Sequence, residues 1–238
     1  MSNLSEINVV ILAGGRGTRL KSILPEQQKV VAKVKEHPFL GYILKQLNKA
    51  GFKNVVICTS YLSDQVKKTL GNYYLDLSLF YSNEQPALGT AGAIAKILPR
   101  LSSDDILIMN GDSFCFCDLQ SAYEFYLKKG TNGTIIIKEE DNTDRYGKVG
   151  LNENGELVSF KEKEENRGKG LINAGIYIIK KSLLAEIPKE MFVSLEKEMF
   201  PSWIGKGFYG FKTTGKFIDI GTEESYKEAE EFFSQNPI

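Results

Sequence analysis

Three glycines in four positions, Gly14, Gly15 and Gly17, run on into Thr18 and are interleaved with Arg16 and Arg19. Backbone N–H groups that carry no side chains can turn together toward one point. Such a nest of amides binds anions. Guanidinium forks grip phosphoryl oxygens, so two arginines beside the nest suit a polyphosphate. Two familiar phosphate loops do not fit. Leu20 stands where G-x-G-x-x-G needs its third glycine, and the chain contains no G-K-[ST]. The bland alternative is a glycine-rich turn with solvated arginines, and residues further along argue against it.

Two aspartates extend the chemistry. Asp112 follows the apolar run Ile106-Leu107-Ile108-Met109 in Asn110-Gly111-Asp112. If that run is a parallel strand, Asp112 ends at the same sheet edge as the glycine loop. A carboxylate beside a polyphosphate is repelled unless a cation lies between them. Mg²⁺ does this work, taking one or two carboxylates and completing its shell with phosphate and water. Asp219, between Ile218 and Ile220, is a second acid among apolar neighbours and needs a partner. Capping the last helix or pairing with a lysine is the competing explanation. His37, the single histidine, precedes Pro38 at a helix start and has no catalytic companions.

The elements that must position these groups are legible as periodicity. Val9 to Ala13 is a short β-branched apolar run, read as a strand buried on both faces and emptying into the glycine loop. A polar passage, Lys21 to Lys35, carries Lys29. Pro38 opens a helix with Phe39, Leu40, Ile43, Leu44 and Leu47 on one face, stopped by Gly51. Strands are expected at 55–58, 77–81 and 106–109, and helices at 62–70, 90–98 (ended by Pro99) and 118–129. This alternation implies a parallel sheet covered on both faces, an α/β fold. The second half reads differently: strands at 134–137, 148–151, 157–160, 171–179, 208–213 and 217–220, with Asn154-Gly155 as a hairpin turn. Helices are expected at 194–200 and 222–234, with Thr222 as N-cap, Tyr226, Ala229 and Phe233 inward and a glutamate stripe outward. Trp203 reads as core. With no linker or repeat, residues 1–238 are expected to form one domain, 1–130 its nucleotide half and 131–238 the half that covers the site.

Composition narrows the class. Thirty basic residues balance thirty acidic ones in a chain of 238, which gives no reason to expect nucleic acid or an anionic membrane as partner. The cysteines are Cys58, Cys115 and Cys117 only, too few and too oddly spaced for a disulfide framework or a four-ligand zinc site. The start, MSNLSE, lacks the features of a signal peptide, and no apolar run approaches a membrane span. A soluble, cytoplasmic protein is expected.

Taken together these residues resemble the sugar-1-phosphate nucleotidylyltransferases. The family pattern is met in order by GGRGTRL (14–20), Lys29, LGTAG (88–92), NGD (110–112), Tyr146-Gly147, Glu162-Lys163, Asn173-Ala174-Gly175 and Asp219. Within the family, RYGKV (145–149), FKEK (160–163), LINAGIY (171–177), SLEKE (194–198) and FIDIG (217–221) are most similar to the heptose-1-phosphate guanylyltransferases of surface-glycan synthesis. There are departures: Gln28 and Val30 flank Lys29 where the family has prolines, Lys33 replaces another, and Ala91 stands where heptose enzymes tend to have glycine.

The resemblance implies a Rossmann-like three-layer α/β/α fold, its sheet mostly parallel with antiparallel additions in the C-terminal half. It implies transfer of a nucleoside monophosphate from a triphosphate to a sugar 1-phosphate, GTP and a D-glycero-α-D-manno-heptose 1-phosphate being favoured. Leu12, Ala13, Gly14, Gly15, Gly17, Thr18, Glu84, Leu88, Gly89 and Thr90 are then nucleotide contacts, with Arg19 on the leaving pyrophosphate and Lys29 on the α-phosphate. Asp112 and Asp219 hold Mg²⁺. Lys163 takes the incoming phosphate, and Gly147, Glu162, Asn173 and Gly175 the sugar. A homodimer is left open. The competing readings are a mannose or other hexose 1-phosphate with GTP, UTP or CTP, and a catalytically silent nucleotide-sugar-binding subunit. The second is disfavoured because Arg19, Lys29 and both aspartates are present.

Overall fold

The computed structural model describes residues 3–161 and 168–238. Glu162 and Lys163, expected at the sugar and its phosphate, lie outside the described residues. The first half comprises β1 (Asn8–Leu12), α1 (Phe39–Ala50), β2 (Asn54–Thr59), α2 (Ser63–Leu70), β3 (Leu77–Asn83), α3 (Gly89–Ile97) and β4 (Asp105–Asn110). It continues through β5 (Ser113–Cys115) and α4 (Leu119–Lys129). The rest is β6 (Gly133–Glu140), β7 (Lys148–Leu151), β8 (Leu157–Lys161), β9 (Gly170–Lys180), β10 (Phe208–Thr213), β11 (Phe217–Asp219) and α5 (Glu223–Gln235).

One large sheet runs in the order β8-β7-β9-β4-β1-β2-β3, with Tyr73–Tyr74 added at the β3 end. Its centre, β4-β1-β2-β3, is parallel, with Asn8 opposite both Asn54 and Ile106. β9 then joins β4 antiparallel and also carries β6, on which β10 lies parallel. This is the expected change from a parallel front half to an antiparallel flank. The central strands are apolar throughout because both faces are covered: Val9, Val10, Ile11, Val55, Ile57, Ile106 and Ile108 have no exposure. One core packs α1, α2 and α5 on the sheet around Phe39, Ile43, Leu47 and Phe233, the other packs α3 around Ile94, Phe200, Trp203 and Phe208.

Local chemistry sets the boundaries. Gly51 closes α1 in the left-handed region (φ 94°), and Asp118 caps α4 by accepting from Ser121 N. Thr222 caps α5 in a reciprocal box with Ser225. Three expectations need correction. Residues 195–199 form a π-helical turn, not an ordinary helix, and lead into Phe200–Ser202. Pro99 does not end the chain's turn after α3, because it sits at an early position of the 3₁₀ turn Leu98–Arg100, where its missing N–H costs nothing. Pro38 precedes α1 as its cap and pairs as part of a two-residue ladder, so the helix begins at Phe39.

Candidate active site

The carboxyl ends of β4, β1, β2 and β3 lie side by side, as the backbone bonds Gly111 N to Leu12 O, Ala13 N to Cys58 O and Glu84 N to Thr59 O record (all 2.8–2.9 Å). Asp112 therefore stands at one end of a row and Glu84 at the other, three strand spacings or roughly 14 Å apart. The glycine loop leaves β1 in the middle. A row of this length, with the glycine loop at its centre, has the span of an extended ligand.

Gln28 positions the loop and Lys29 together. Its buried amide nitrogen donates to the carbonyls of Ala13 and Gly15, each at 3.0 Å, and its side-chain oxygen accepts from Val30 N at 3.2 Å. These bonds fix the backbone that prolines fix elsewhere. Lys29 then lies along the loop, and a Cβ on Gly17 would sit 3.6 Å from its Cβ and Cδ. Lys29 Nζ pairs with Asp112 Oδ2. Arg16, Thr18 and Arg19 are exposed. The arginines have no ion-pair partner among the described residues.

Asp219 is brought beside Asp112 by β5 and β11, whose antiparallel register sets Asp219 opposite Ser113, and by Ile220 N donating to Asp112 O at 2.9 Å. The strand expected at 217–220 is β11, whereas β5 was not foreseen. Among the described residues the charged partner of Asp219 is Arg145 and not a lysine. Arg145 Nη2 donates to its Oδ1 at 3.1 Å, which also accepts from Gly221 N at 2.7 Å and Ser225 Oγ at 3.3 Å. Arg145 lies in the quoted RYGKV but had no assigned role. Its neighbour Tyr146 has a phenol pushed up to about 12, by burial first and then by the charge of Asp219.

At the other end of the row Glu84 is 4% exposed, and burial holds its carboxyl above the usual range. Its Oε2 accepts from Leu88 N at 3.4 Å, and its Oε1 has no partner. The glycines of LGTAG serve packing: a Cβ on Gly89 would lie 2.5 Å from Val193 O, and one on Gly92 2.7 Å from Met191 O. Thr90 Oγ1 donates to Glu196 Oε2 and accepts from Leu195 N, both at 2.8 Å. Its hydroxyl is thereby committed to the protein.

Two adjoining cavities result. The larger, about 400 Å³, is lined by Leu12, Gly14, Gly15, Glu84, Gly89 and Thr90 among others. The smaller, about 170 Å³, is lined by Arg145, Gly147, Asn173, Gly175 and Asp219 among others. Asn110, Asp112 and Glu196 face both. Ala13 is buried in the core, and Gly17, Thr18, Arg19, Lys29 and Leu88 do not line the larger cavity. Asn173 is largely committed, its Oδ1 accepting from Gly175 N at 2.8 Å and its Nδ2 donating to Tyr177 Oη at 2.6 Å. Gly175 has φ 72° and no room for a Cβ, which would meet Ser113 Oγ at 2.7 Å. This glycine lets β9 shift register and pass over β5. Gln28, Arg145, Asn110 and Glu196 went unassigned in the sequence, and only the short motifs in or beside which they lie pointed to the region.

The two aspartates supply hard oxygen donors to one cavity, with no histidine or cysteine beside them, which fits Mg²⁺. Among the described residues no three metal-ligating side chains converge. An ion held there takes the rest of its shell from ligand oxygens and water.

A glycine-rich loop at a parallel sheet edge, with Asp112 where two cavities meet and Asp219 in the smaller one, defines a nucleotide-handling α/β enzyme site. The sequence matches the family described as Nucleotidyl transferase over residues 8–236, and the chain belongs to that family. It is 34% identical over 225 residues to a D-glycero-alpha-D-manno-heptose 1-phosphate guanylyltransferase of Aneurinibacillus thermoaerophilus, covering 94% of this chain and 97% of the relative. It is 33% identical to the protein of the same description from Campylobacter jejuni, covering 92% and 97%. The solved structure of HddC from Yersinia pseudotuberculosis superposes with a TM-score of 0.86 at 31% identity, covering 95% of this chain and 99% of that one, and a second structure holds it complexed with GMP-PN. The chain is a sugar-1-phosphate nucleotidyltransferase with the Rossmann-like fold of that group.

Proposed function

We propose that this enzyme transfers GMP from GTP to a D-glycero-α-D-manno-heptose 1-phosphate, releasing pyrophosphate and forming a GDP-sugar. The observation that carries the reading is the pair of cavities with Asp112 in their shared wall. A site that joins two phosphates must bring two anions to one point, and this wall is where they meet. The similarity to heptose 1-phosphate guanylyltransferases over nearly the whole chain supports both substrates.

The attacking phosphate is already ionised near neutral pH, so the reaction needs no general base. The protein's task is positioning and charge stabilisation. Gly14, Gly15, Gly17 and Thr18 present backbone amides to the triphosphate, and Arg19 steadies the leaving pyrophosphate. Lys29, held against Asp112 by the Gln28 turn, neutralises the α-phosphate in line with the incoming oxygen. Asp112 and Asp219 would hold Mg²⁺, which when bound shields the two anions from each other and polarises the phosphoryl oxygens. Arg145 orients Asp219 through their ion pair. Lys163 meets the sugar phosphate, and Glu162, Gly147, Asn173 and Gly175 serve the sugar.

The test is a pyrophosphate-release screen of the four nucleoside triphosphates against heptose 1-phosphate, mannose 1-phosphate and glucose 1-phosphate. The expected result is turnover highest with GTP and the heptose phosphate. Indifference between heptose and mannose phosphates removes the heptose assignment and leaves the transfer chemistry. No pyrophosphate with any pair overturns the reading and favours a silent binding subunit.

A further inference from the structure

We propose that the trough between α3 and the outer strand β3 holds a second ligand site, which takes a flat aromatic molecule bearing one anionic group. The inference stands apart from the transfer reading, because no residue of the site described above lines this cavity.

The sheet explains why the trough exists. β2 and β3 pair in parallel with Val56 beside Phe80, and side chains alternate between the two faces. Val55, Ile57, Leu77 and Leu79 face α1 and α2 and are buried. Val56 and Phe80 face the other way. On that side α3 covers the centre of the sheet, where Val10, Ile106 and Ile108 have no exposure, and leaves the outer strand bare. Phe80 is 54% exposed and Val56 half-buried, although a parallel sheet is ordinarily covered on both faces.

The result is a cavity of about 410 Å³, against about 400 Å³ for the nucleotide cavity. It lies toward the amino ends of the strands, where Asn8 and Asn54 begin β1 and β2. The two cavities occupy one trough. Val56 lines this one and Cys58, two residues on, the other. Along α3, Ile97 lines this one and Thr90 and Ala93 the other.

Its chemistry is an apolar surface with one cation. Val56, Phe80, Ile97 and Leu101 supply the surface, and Arg100 is the charged residue in the described wall. Arg100 is exposed and has no ion-pair partner among the described residues. The backbone that carries it is fixed on both sides. Leu101 N donates to Leu98 O at 3.2 Å, and Ser102 N and Ser103 N donate to Asn8 Oδ1 at 2.7 and 3.0 Å. An exposed ring gains by stacking on a second ring. An unpaired guanidinium gains by gripping an anionic group, and no carboxylate in the described wall opposes it. One cation matches one such group, which distinguishes this cavity from a triphosphate site.

The experiment titrates the protein with 8-anilinonaphthalene-1-sulfonate, followed by fluorescence, in wild type, Arg100→Ala and Phe80→Ala. Wild type is expected to show a single saturable site that survives saturation with GTP. Each variant should weaken it by about tenfold or more, the worth of one charge-assisted hydrogen bond or one stacked ring. Unchanged thermal midpoints would show that both variants fold. N-phenyl-1-naphthylamine, which lacks the sulfonate, should bind wild type and Arg100→Ala alike. Displacement of the sulfonate probe by GMP assigns the site to nucleoside phosphates, and displacement by 1-naphthoate alone assigns it to aryl carboxylates. Binding that both variants retain, loss of binding when GTP is added, or displacement by neither competitor overturns the proposal.

Discussion

The side-chain amide of Gln28 donates to the carbonyl of Gly15 at 3.0 Å, tying the residue before Lys29 to the phosphate loop. A proline would fix this backbone covalently, whereas Gln28 fixes it through buried hydrogen bonds and also holds the loop. Gln28→Ala would strand the carbonyls of Ala13 and Gly15 and open a void. The expected cost is about 2–4 kcal/mol, read as a lower urea midpoint. Turnover should fall as well, because Lys29 and the loop lose their common anchor. Unchanged stability would mean that water satisfies both carbonyls and that the turn holds itself.

Lys29 and Lys33 are close in sequence, yet only Lys29 reaches a carboxylate of the site, that of Asp112. Lys33 is exposed on a two-residue ladder. Lys29→Ala should lower kcat by roughly 10² or more, the scale of losing a group that stabilises developing charge, while Lys33→Ala stays within about twofold of wild type. Steady-state kinetics on the two variants decides. Equal, small effects would move the α-phosphate role to another cation, Arg16 being nearest in sequence.

Asp112 lies in the wall between the two cavities, so its charge should matter to turnover more than to folding. Asp112→Asn keeps the shape, leaves Lys29 without its carboxylate, and should lower kcat by roughly 10² with the thermal midpoint little changed. Chelation with EDTA should abolish activity in wild type, and added Mg²⁺ should restore it. Wild-type rates in Asp112→Asn at saturating Mg²⁺ would remove this residue from the chemistry.

Much of this site was legible because its parts sit at the ends of strands buried on both faces. Runs such as Val9 to Leu12 and Ile106 to Met109 admit little but a parallel strand, and the residues that follow them must share an edge. What could not be read was the meeting of Asp112 with Asp219. It depends on β5 and β11, each three residues long, whose pairing joins segments about a hundred residues apart and leaves no periodicity to detect. Gln28 was invisible for a different reason. An amide that replaces a proline by hydrogen bonding announces itself only when its acceptors are known. The packing role of the 88–92 glycines was equally hidden: Gly89 lines the larger cavity, yet it and Gly92 also make room for the backbone of Val193 and Met191.

Burial raises the carboxyl pKa of Glu84 above 4.5, its ordinary value, against the opposing effects of the Leu88 N–H and the charge of Lys96. The other titratable group facing it is the Cys58 thiol, itself pushed up by burial and neutral in this range. The folded protein therefore binds the Glu84 proton more tightly than the unfolded chain does. From about pH 4.5 upward the unfolded state releases this proton first, and stability falls with pH until the folded carboxyl has also ionised. The charged form is thus the form that burdens the fold. Glu84→Gln, which keeps an oxygen for Leu88 N–H, should raise the thermal midpoint at pH 7, and its advantage over wild type should vanish below pH 4.5. If Glu84 contacts the nucleotide, bound GTP should raise the wild-type midpoint more than that of the variant. Parallel melts of the two proteins between pH 4 and 8, with and without GTP, make the check. A variant less stable than wild type at pH 7 would show that Glu84 serves the fold rather than the ligand.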